Sequence, residues 1–172
     1  MKPAIHRQLA IMLLSLSLFG CGFKLAGDTA ILSESLGSIY LVTKNLSDRQ
    51  AASLRNTIEG AGAEIVNQPG DGRVSLSVSI ITVPDRILVV SANSGRTVVR
   101  IVRQLGFNLK SASGQVLVEP RTLVQQRDIE LNSDRLLSSK AEKTRVAEDL
   151  EKALFNLMIH QLKRIQAPVE VN

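Results

Sequence analysis

The chain has 172 residues, a formal net charge of +5, one cysteine, two histidines, no tryptophan and only 3% aromatic residues. That inventory excludes an intrachain disulfide and a cysteine zinc cluster, and if His6 leaves with an N-terminal signal, His160 alone cannot form a histidine cluster for a metal. Tyr40, Phe23, Phe107 and Phe155 are too scattered to stack single-stranded nucleic acid, and no Gly-x-Ser-x-Gly elbow, phosphate loop or dinucleotide fingerprint occurs.

Lys2 and Arg7 open the chain, and the apolar run Leu9 to Phe19 follows. The run falls short of the roughly 20 residues a membrane span needs, so residues 1–20 have the layout of a secretory signal. Gly20 then stands directly before Cys21, and Leu18-Phe19-Gly20-Cys21 resembles the lipobox of bacterial lipoproteins. The resemblance implies cleavage before Cys21, a lipid on its sulfur and an acyl chain on its new amino group. Two or more chains hold a protein firmly at a membrane where one holds it marginally. The alternative is a soluble secreted protein with an incidental cysteine at the cleavage site. Removing the signal takes two basic residues, no acidic ones and His6. It leaves 152 residues, enough for one domain, with 19 basic against 16 acidic residues, or +3.

Residues 21–37 read as a lipidated tether, and Ser38 to Thr43 as a first strand. Ser47 and Gln50 have the spacing of a capping box, and Ala51, Leu54 and Ile58 continue at helical period. Gly60 and Gly62 supply the stop. Ala63 to Val66 is either a short strand or the lead-in to the turn at Gln68-Pro69-Gly70-Asp71-Gly72.

Val74, Leu76, Val78 and Ile80 alternate with Ser75, Ser77 and Ser79, the period of a half-buried strand. A continuation through Pro84 to Val90 requires a bulge or a free edge. Asn93-Ser94-Gly95 predicts a hairpin turn into Thr97 to Leu109. Ser113-Gly114 turns the chain again into Val116 to Leu131, which Pro120 interrupts. The proline-free stretch 97–109 is the expected centre of this meander, and at about 3.3 Å per residue it is roughly 43 Å long.

From Lys140 to Ile165 the period is helical, with Val146, Leu150, Ala153, Leu154, Leu157, Met158, Leu162 and Ile165 on one stripe. Met158 reads as core filler and His160 lies off the stripe. A serine–histidine hydrolase would have to use His160, the last histidine left, so that reading is weak. Pro168 ends the helix, and residues 167–172 read as a tail. The expected fold is α+β: residues 38–166 form one domain, a four-stranded mostly antiparallel sheet with two helices packed on one face.

Two local strings carry a further resemblance. Cys21-Gly22-Phe23-Lys24-Leu25 follows the lipid site, and the first helix ends Ile58-Glu59-Gly60-Ala61-Gly62-Ala63-Glu64-Ile65. Together with the element order they resemble the LptE family, lipoproteins of the outer-membrane lipopolysaccharide translocon. The resemblance implies a plug inside the large β-barrel LptD that helps the barrel fold, binds lipopolysaccharide and assists its delivery to the outer leaflet. It implies no catalysis, no cofactor and no nucleic acid. Gly22, where inner-membrane lipoproteins of enterobacteria-like systems carry aspartate, implies anchorage at the outer membrane, facing the periplasm and the barrel lumen. The rival reading is an auxiliary periplasmic lipoprotein of a lipid-transport ABC system, which would bind phospholipid or a transporter subunit.

Basic residues gather at Arg96, Arg100, Arg103 and Lys110, and again at Arg135, Lys140, Lys143 and Arg145. Arginine and lysine bind phosphates and sugar-acid carboxylates through charge-assisted hydrogen bonds. The expected lipopolysaccharide contact is Arg96, Lys140, Arg100 and Lys143, with Arg96 and Lys140 sharing one edge of the domain; the plainer reading is solubility charges. Arg103 shares parity with Ile101, Leu105 and Phe107, so it needs either a bulge or a partner near the core. The serines 75, 77 and 79 predict a small polar sheet face, which suits a polar barrel lumen or plain water equally.

Overall fold

The computed structural model describes residue 32 and residues 36–91, 95–132 and 135–165. The signal segment, Cys21 and the tail 167–172 lie outside the described residues. Helix α1 spans Asp48–Gly60 and opens with the expected capping box: Ser47 Oγ accepts from the Gln50 amide at 3.3 Å, and Gln50 Oε1 accepts from the Ser47 amide at 2.9 Å. Its end is a Schellman turn. The Gly62 amide donates to Glu59 O at 2.9 Å and the Ala63 amide to Ile58 O at 3.3 Å, with Gly62 at φ +88°.

The two glycines of this stop therefore differ. Gly62 occupies a left-handed conformation that costs an L side chain about 1–2 kcal/mol, so Gly62→Ala is expected to destabilise by that amount. Gly60 lies within the helix, and an added Cβ there meets no atom within 4 Å. Gly60→Ala should stabilise by about 0.5–1 kcal/mol, through helix propensity and a less flexible unfolded chain. Urea denaturation of the two variants should move the midpoint in opposite directions; the same direction would contradict this cap.

Six strands follow: β1 Ser38–Lys44, β2 Glu64–Val66, β3 Arg73–Ile81, β4 Arg86–Ser91, β5 Arg96–Lys110 and β6 Val116–Asn132. The order is β2-β1-β3-β5-β4, and β6 pairs with β5. Among the described residues the fold is α+β with two long helices on one face, but the sheet is mixed and six-stranded rather than four-stranded. The first difference is β1, which runs parallel to both β2 and β3. A strand that returns through a helix re-enters at the same end, so α1 imposes this direction.

The second difference is β4. Residues 75–81 of β3 pair with 104–110 of β5, and β4 pairs with 96–100 of β5 along the same edge. Pro84 falls between the two, where no ladder amide is required. β3 and β4 thus form one interrupted edge partner for β5, while β6 covers the opposite edge over nearly its full length. The central place expected for 97–109 is the one β5 holds.

Alternation decides the faces. Ile39, Leu41, Val74, Leu76, Val78, Ile80, Leu105, Phe107 and Leu109 join Leu54 and Ile58 of α1 in one buried cluster. Helix α2, Leu136–Leu162, covers that same face with Leu154, Phe155, Met158, Ile159 and Leu162. Its first half closes a second cluster of Ile101, Ile129, Val146, Ala147 and Leu150. The expected stripe is wider than drawn: Phe155 and Ile159 are buried, whereas Ala153 is exposed. The segment read as a tether also contributes to the fold. Leu32 and Leu36 are buried in the main cluster, and the Leu32 amide donates to Ala61 O at 3.0 Å.

Candidate functional site

Helix α2 begins without a side-chain cap, and Arg135 holds its N-cap position. It is fixed instead to the end of β6: Ser139 Oγ donates to Asn132 O at 3.0 Å and accepts from the Asn132 amide at 3.3 Å. This brings Lys140 and Lys143, within the first two turns of α2, to the mouth of a cleft between α1, α2 and β5. The cleft has a volume of about 650 Å³ and also exposes Arg49, Ser53, Thr144 and Lys152.

Its inner wall is an ion-pair network. Lys143 Nζ lies 2.7 Å from Asp85 Oδ2, and Arg103 Nη1 lies 3.3 Å from Asp85 Oδ1. Arg103 Nε reaches Glu151 Oε1 at 3.6 Å, and that oxygen accepts from Gln50 Nε2 at 2.9 Å. Arg103 Nη1 also donates to Val102 O at 2.7 Å. Burial pushes the Asp85 carboxyl upward, but hydrogen bonds and charge from Lys143 and Arg103 outweigh it and hold the group below the ordinary aspartate range. The parity that set Arg103 among apolar residues thus resolves as a partner near the core, with no bulge at that position.

At the cleft wall Arg49 pairs with Glu148 at 2.6 and 3.0 Å. Lys140 and Lys152 have no ion-pair partner among the described residues. With the positive end of the α2 dipole beside it, Lys140 makes this mouth attractive to anions.

Arg96 and Arg100 lie elsewhere. The register of β5 points both to the helix-free face, where Arg96 meets Glu130 at 3.1 Å and Arg100 grips Asp128 at 2.7 and 2.8 Å. The Arg100 guanidinium holds the Asp128 carboxyl below its usual range. Arg96 and Lys140 do share one end of the domain, since Arg96 pairs across the ladder with Asn132, which Ser139 holds. The sheet separates them, so the four expected cations form two surfaces rather than one. Asp85, Glu151 and Arg49 are the network members the sequence reading did not single out. Their partners lie 18 to 101 positions away, and the only local hint is Asp85 following Pro84 at a strand break. His160 is exposed in a groove between α1 and α2, beside Lys163.

No protein-family model matches the chain, and neither does any curated protein sequence. Solved structures do resemble it. An uncharacterised lipoprotein B from Nitrosomonas europaea superposes with a TM-score of 0.62 at 21% identity, covering 83% of this chain and 90% of that one. The rare lipoprotein B of Shewanella oneidensis gives 0.54 at 12% identity, over 72% and 91% of the two chains. A minor lipoprotein from Acinetobacter baumannii gives 0.53 at 14% identity, over 73% and 90%. The protein therefore has a fold that recurs among bacterial lipoproteins.

Proposed function

We propose that this protein is anchored in the outer membrane through Cys21. There it acts as an LptE-like plug and assembly partner of an LptD-like barrel, binding lipopolysaccharide and aiding its passage to the outer leaflet. The fold shared with lipoproteins and the Cys21-Gly22-Phe23-Lys24-Leu25 string support the anchor. The observation that carries the partnership is β4. All six of its residues are exposed, four of them in a row being Ile87, Leu88, Val89 and Val90, on a strand whose ladder partner among the described residues is β5. An apolar edge strand is a hazard in water and ordinarily marks a surface that a partner covers. The strand-lined wall of a barrel is a partner of matching geometry. Lys140 at the cleft mouth is the favoured phosphate contact, because Arg96, Arg100 and Lys143 are already paired.

The deciding experiment is a mild-detergent pull-down of the tagged, lipidated protein from outer membranes of its own host. A large β-barrel recovered at near one-to-one ratio, with lipopolysaccharide retained, is the expected result. Recovery alone or with inner-membrane transporter subunits would sink the reading and favour an auxiliary lipid-transport role.

A further inference from the structure

Strand β6 is an outer strand of the sheet: its ladder partner among the described residues is β5, and residues 121–132 pair with 96–107 of β5 without a break. The direction of its backbone groups follows from bonds already in place. The Asn132 carbonyl accepts from Ser139 Oγ and the Asn132 amide donates to it, so both groups point away from β5. In β5, the Val102 carbonyl accepts from Arg103 and the Gly106 carbonyl from Ser79. Even-numbered residues of β5 therefore turn toward β3 and β4, and odd-numbered ones toward β6. Antiparallel residues that face each other share one hydrogen-bonding phase, which alternates along the strand. Thr122, Val124, Gln126, Asp128 and Glu130 thus aim amide and carbonyl outward, as Asn132 does. Among the described residues no backbone group bonds these five on that side.

This edge is poorly guarded. Natural edge strands are short, bulged, interrupted by proline or fringed with outward charge. Between Thr122 and Glu130 there is no proline, glycine or lysine, and the register with β5 has no bulge. The carboxylates of Asp128 and Glu130 are drawn back over the sheet face to Arg100 and Arg96, and Arg127 lies on the helix side, 3.9 Å from Asp149. All five outward-bonding residues are exposed. Helix α2 leaves the edge open: Lys143 reaches Asp85 on the far side of β5, which seats the first half of the helix inboard of β6. β4, by contrast, is six residues long and has a register shift between Ile87 and Val89. The open stretch of β6 also has defined ends, with Asn132 held by Ser139 and Pro120 closing the other side.

The five open residues are centred on Gln126, so an antiparallel strand of the same sequence satisfies all of them in a single register. Glu130 then faces Thr122 of the second copy, Asp128 faces Val124 and Gln126 faces itself, with two hydrogen bonds for each such pair. No like charges stand directly opposite each other, an arrangement that would destabilise the pairing. Moving the axis to Arg127 sets two arginines against each other and calls on Asn132, which Ser139 already holds. Moving it to Gln125 sets Pro120, which has no amide hydrogen, against Glu130. We propose that β6 pairs with β6 of a second copy about a two-fold axis at Gln126, continuing one sheet through two chains. An edge of this length is small against the roughly 1,200–2,000 Å² of stable complexes, so the dimer is reversible and follows concentration. Anchoring two copies in one membrane raises their effective concentration and favours it. The inference does not rest on the barrel partnership, because β4, which carries that reading, lies on the other side of β5.

The test uses the full-length protein in density-matched detergent, without any barrel. Sedimentation equilibrium between about 1 and about 100 µM should show a monomer–dimer equilibrium. Gln126→Pro removes one outward amide and no bond to β5, and Gln126→Lys sets two ammonium groups against each other at the axis. Each should weaken the dimer at least tenfold, whereas Gln115→Lys, at the turn between β5 and β6, should change it less than twofold. Circular dichroism confirms that each variant is folded. Cross-linking reads the register. Facing residues of a hydrogen-bonded pair have Cα atoms about 5.5 Å apart, within disulfide range, so Gln126→Cys should give a covalent dimer on mild oxidation. Val124→Cys, exposed on the same face, stands four residues from its counterpart, or about 14 Å, and should give no more than the parent, whose Cys21 supplies the background. A monomer at every concentration overturns the proposal. So does a dimer that both Gln126→Pro and Gln126→Lys leave intact, or cross-linking of Val124→Cys as ready as that of Gln126→Cys.

Discussion

Phe155→Ala should lower the unfolding free energy by about 3–5 kcal/mol, a large part of the roughly 5–15 kcal/mol that a domain ordinarily possesses. The ring is 1% exposed and belongs to the cluster that joins α1, α2 and four strands. Removing it forfeits both its transfer from water and its contacts in a close-packed interior, and the cavity left behind cannot fully collapse between a sheet and two helices. Urea denaturation monitored by far-ultraviolet circular dichroism measures the loss, with an unchanged slope showing that the same surface is exposed on unfolding. Ala153 supplies the contrast. It stands two positions away and is exposed, so Ala153→Lys should stay within about 0.5 kcal/mol of the parent. A loss below 1 kcal/mol for Phe155→Ala, or a large one for Ala153→Lys, would mean that α2 is turned differently on the sheet.

That contrast also shows how far the sequence carries. Helical period located α2, but the stripe drawn through Ala153 and Leu157 was about one residue too narrow and misplaced on one side. A helix lying across a sheet buries more than the two-position seam of a coiled coil, so Phe155 and Ile159 join it. Strict alternation was more informative: Val74 to Ile80 gave both the buried face of β3 and the serines of its other face. The capping box at Ser47 and Gln50 was legible because its chemistry is local. The parallel direction of β1 is legible in principle, since a strand, a short helix and a strand imply it, but the expectation of a mostly antiparallel sheet leaves that direction unassigned. The union of β3 and β4 into one edge depended on β5 being long enough to serve both.

Charge was less legible than shape. A cation is easily found in a sequence, but its partner is fixed only by register and helix placement. Arg100 meets Asp128, 28 positions away, and Lys143 meets Asp85 across the gap between β3 and β4. Three of the four cations expected to await an anion already have one within the chain. Lys140 is the exception.

Asp85→Asn should destabilise the fold by about 2 kcal/mol at neutral pH, between the small worth of an exposed ion pair and the larger cost of breaking a buried one. The carboxylate is 16% exposed and compensates two cations, of which Arg103 is 22% exposed and Lys143 42%. Losing its charge leaves Arg103 with Glu151 at 3.6 Å as its remaining ion-pair partner, in a position flanked by the buried Ile101 and Leu105. The pH dependence follows from the lowered folded value. The unfolded carboxyl takes up a proton near the ordinary aspartate pKa, about 3.9, while the folded one resists until lower pH. Stability from Asp85 is therefore fully present above that range and disappears as pH falls through the folded value. Parent and variant should differ at pH 7 and converge in strong acid; a gap that persists or widens there would place the effect in packing rather than charge. Lys143→Met should cost less than Asp85→Asn, because the more exposed ammonium leaves behind a carboxylate still held by Arg103. Asp85 is thus the acid that joins both cations, placed where Pro84 interrupts the sheet edge and lets the chain turn inward to meet a cation among the core residues of β5.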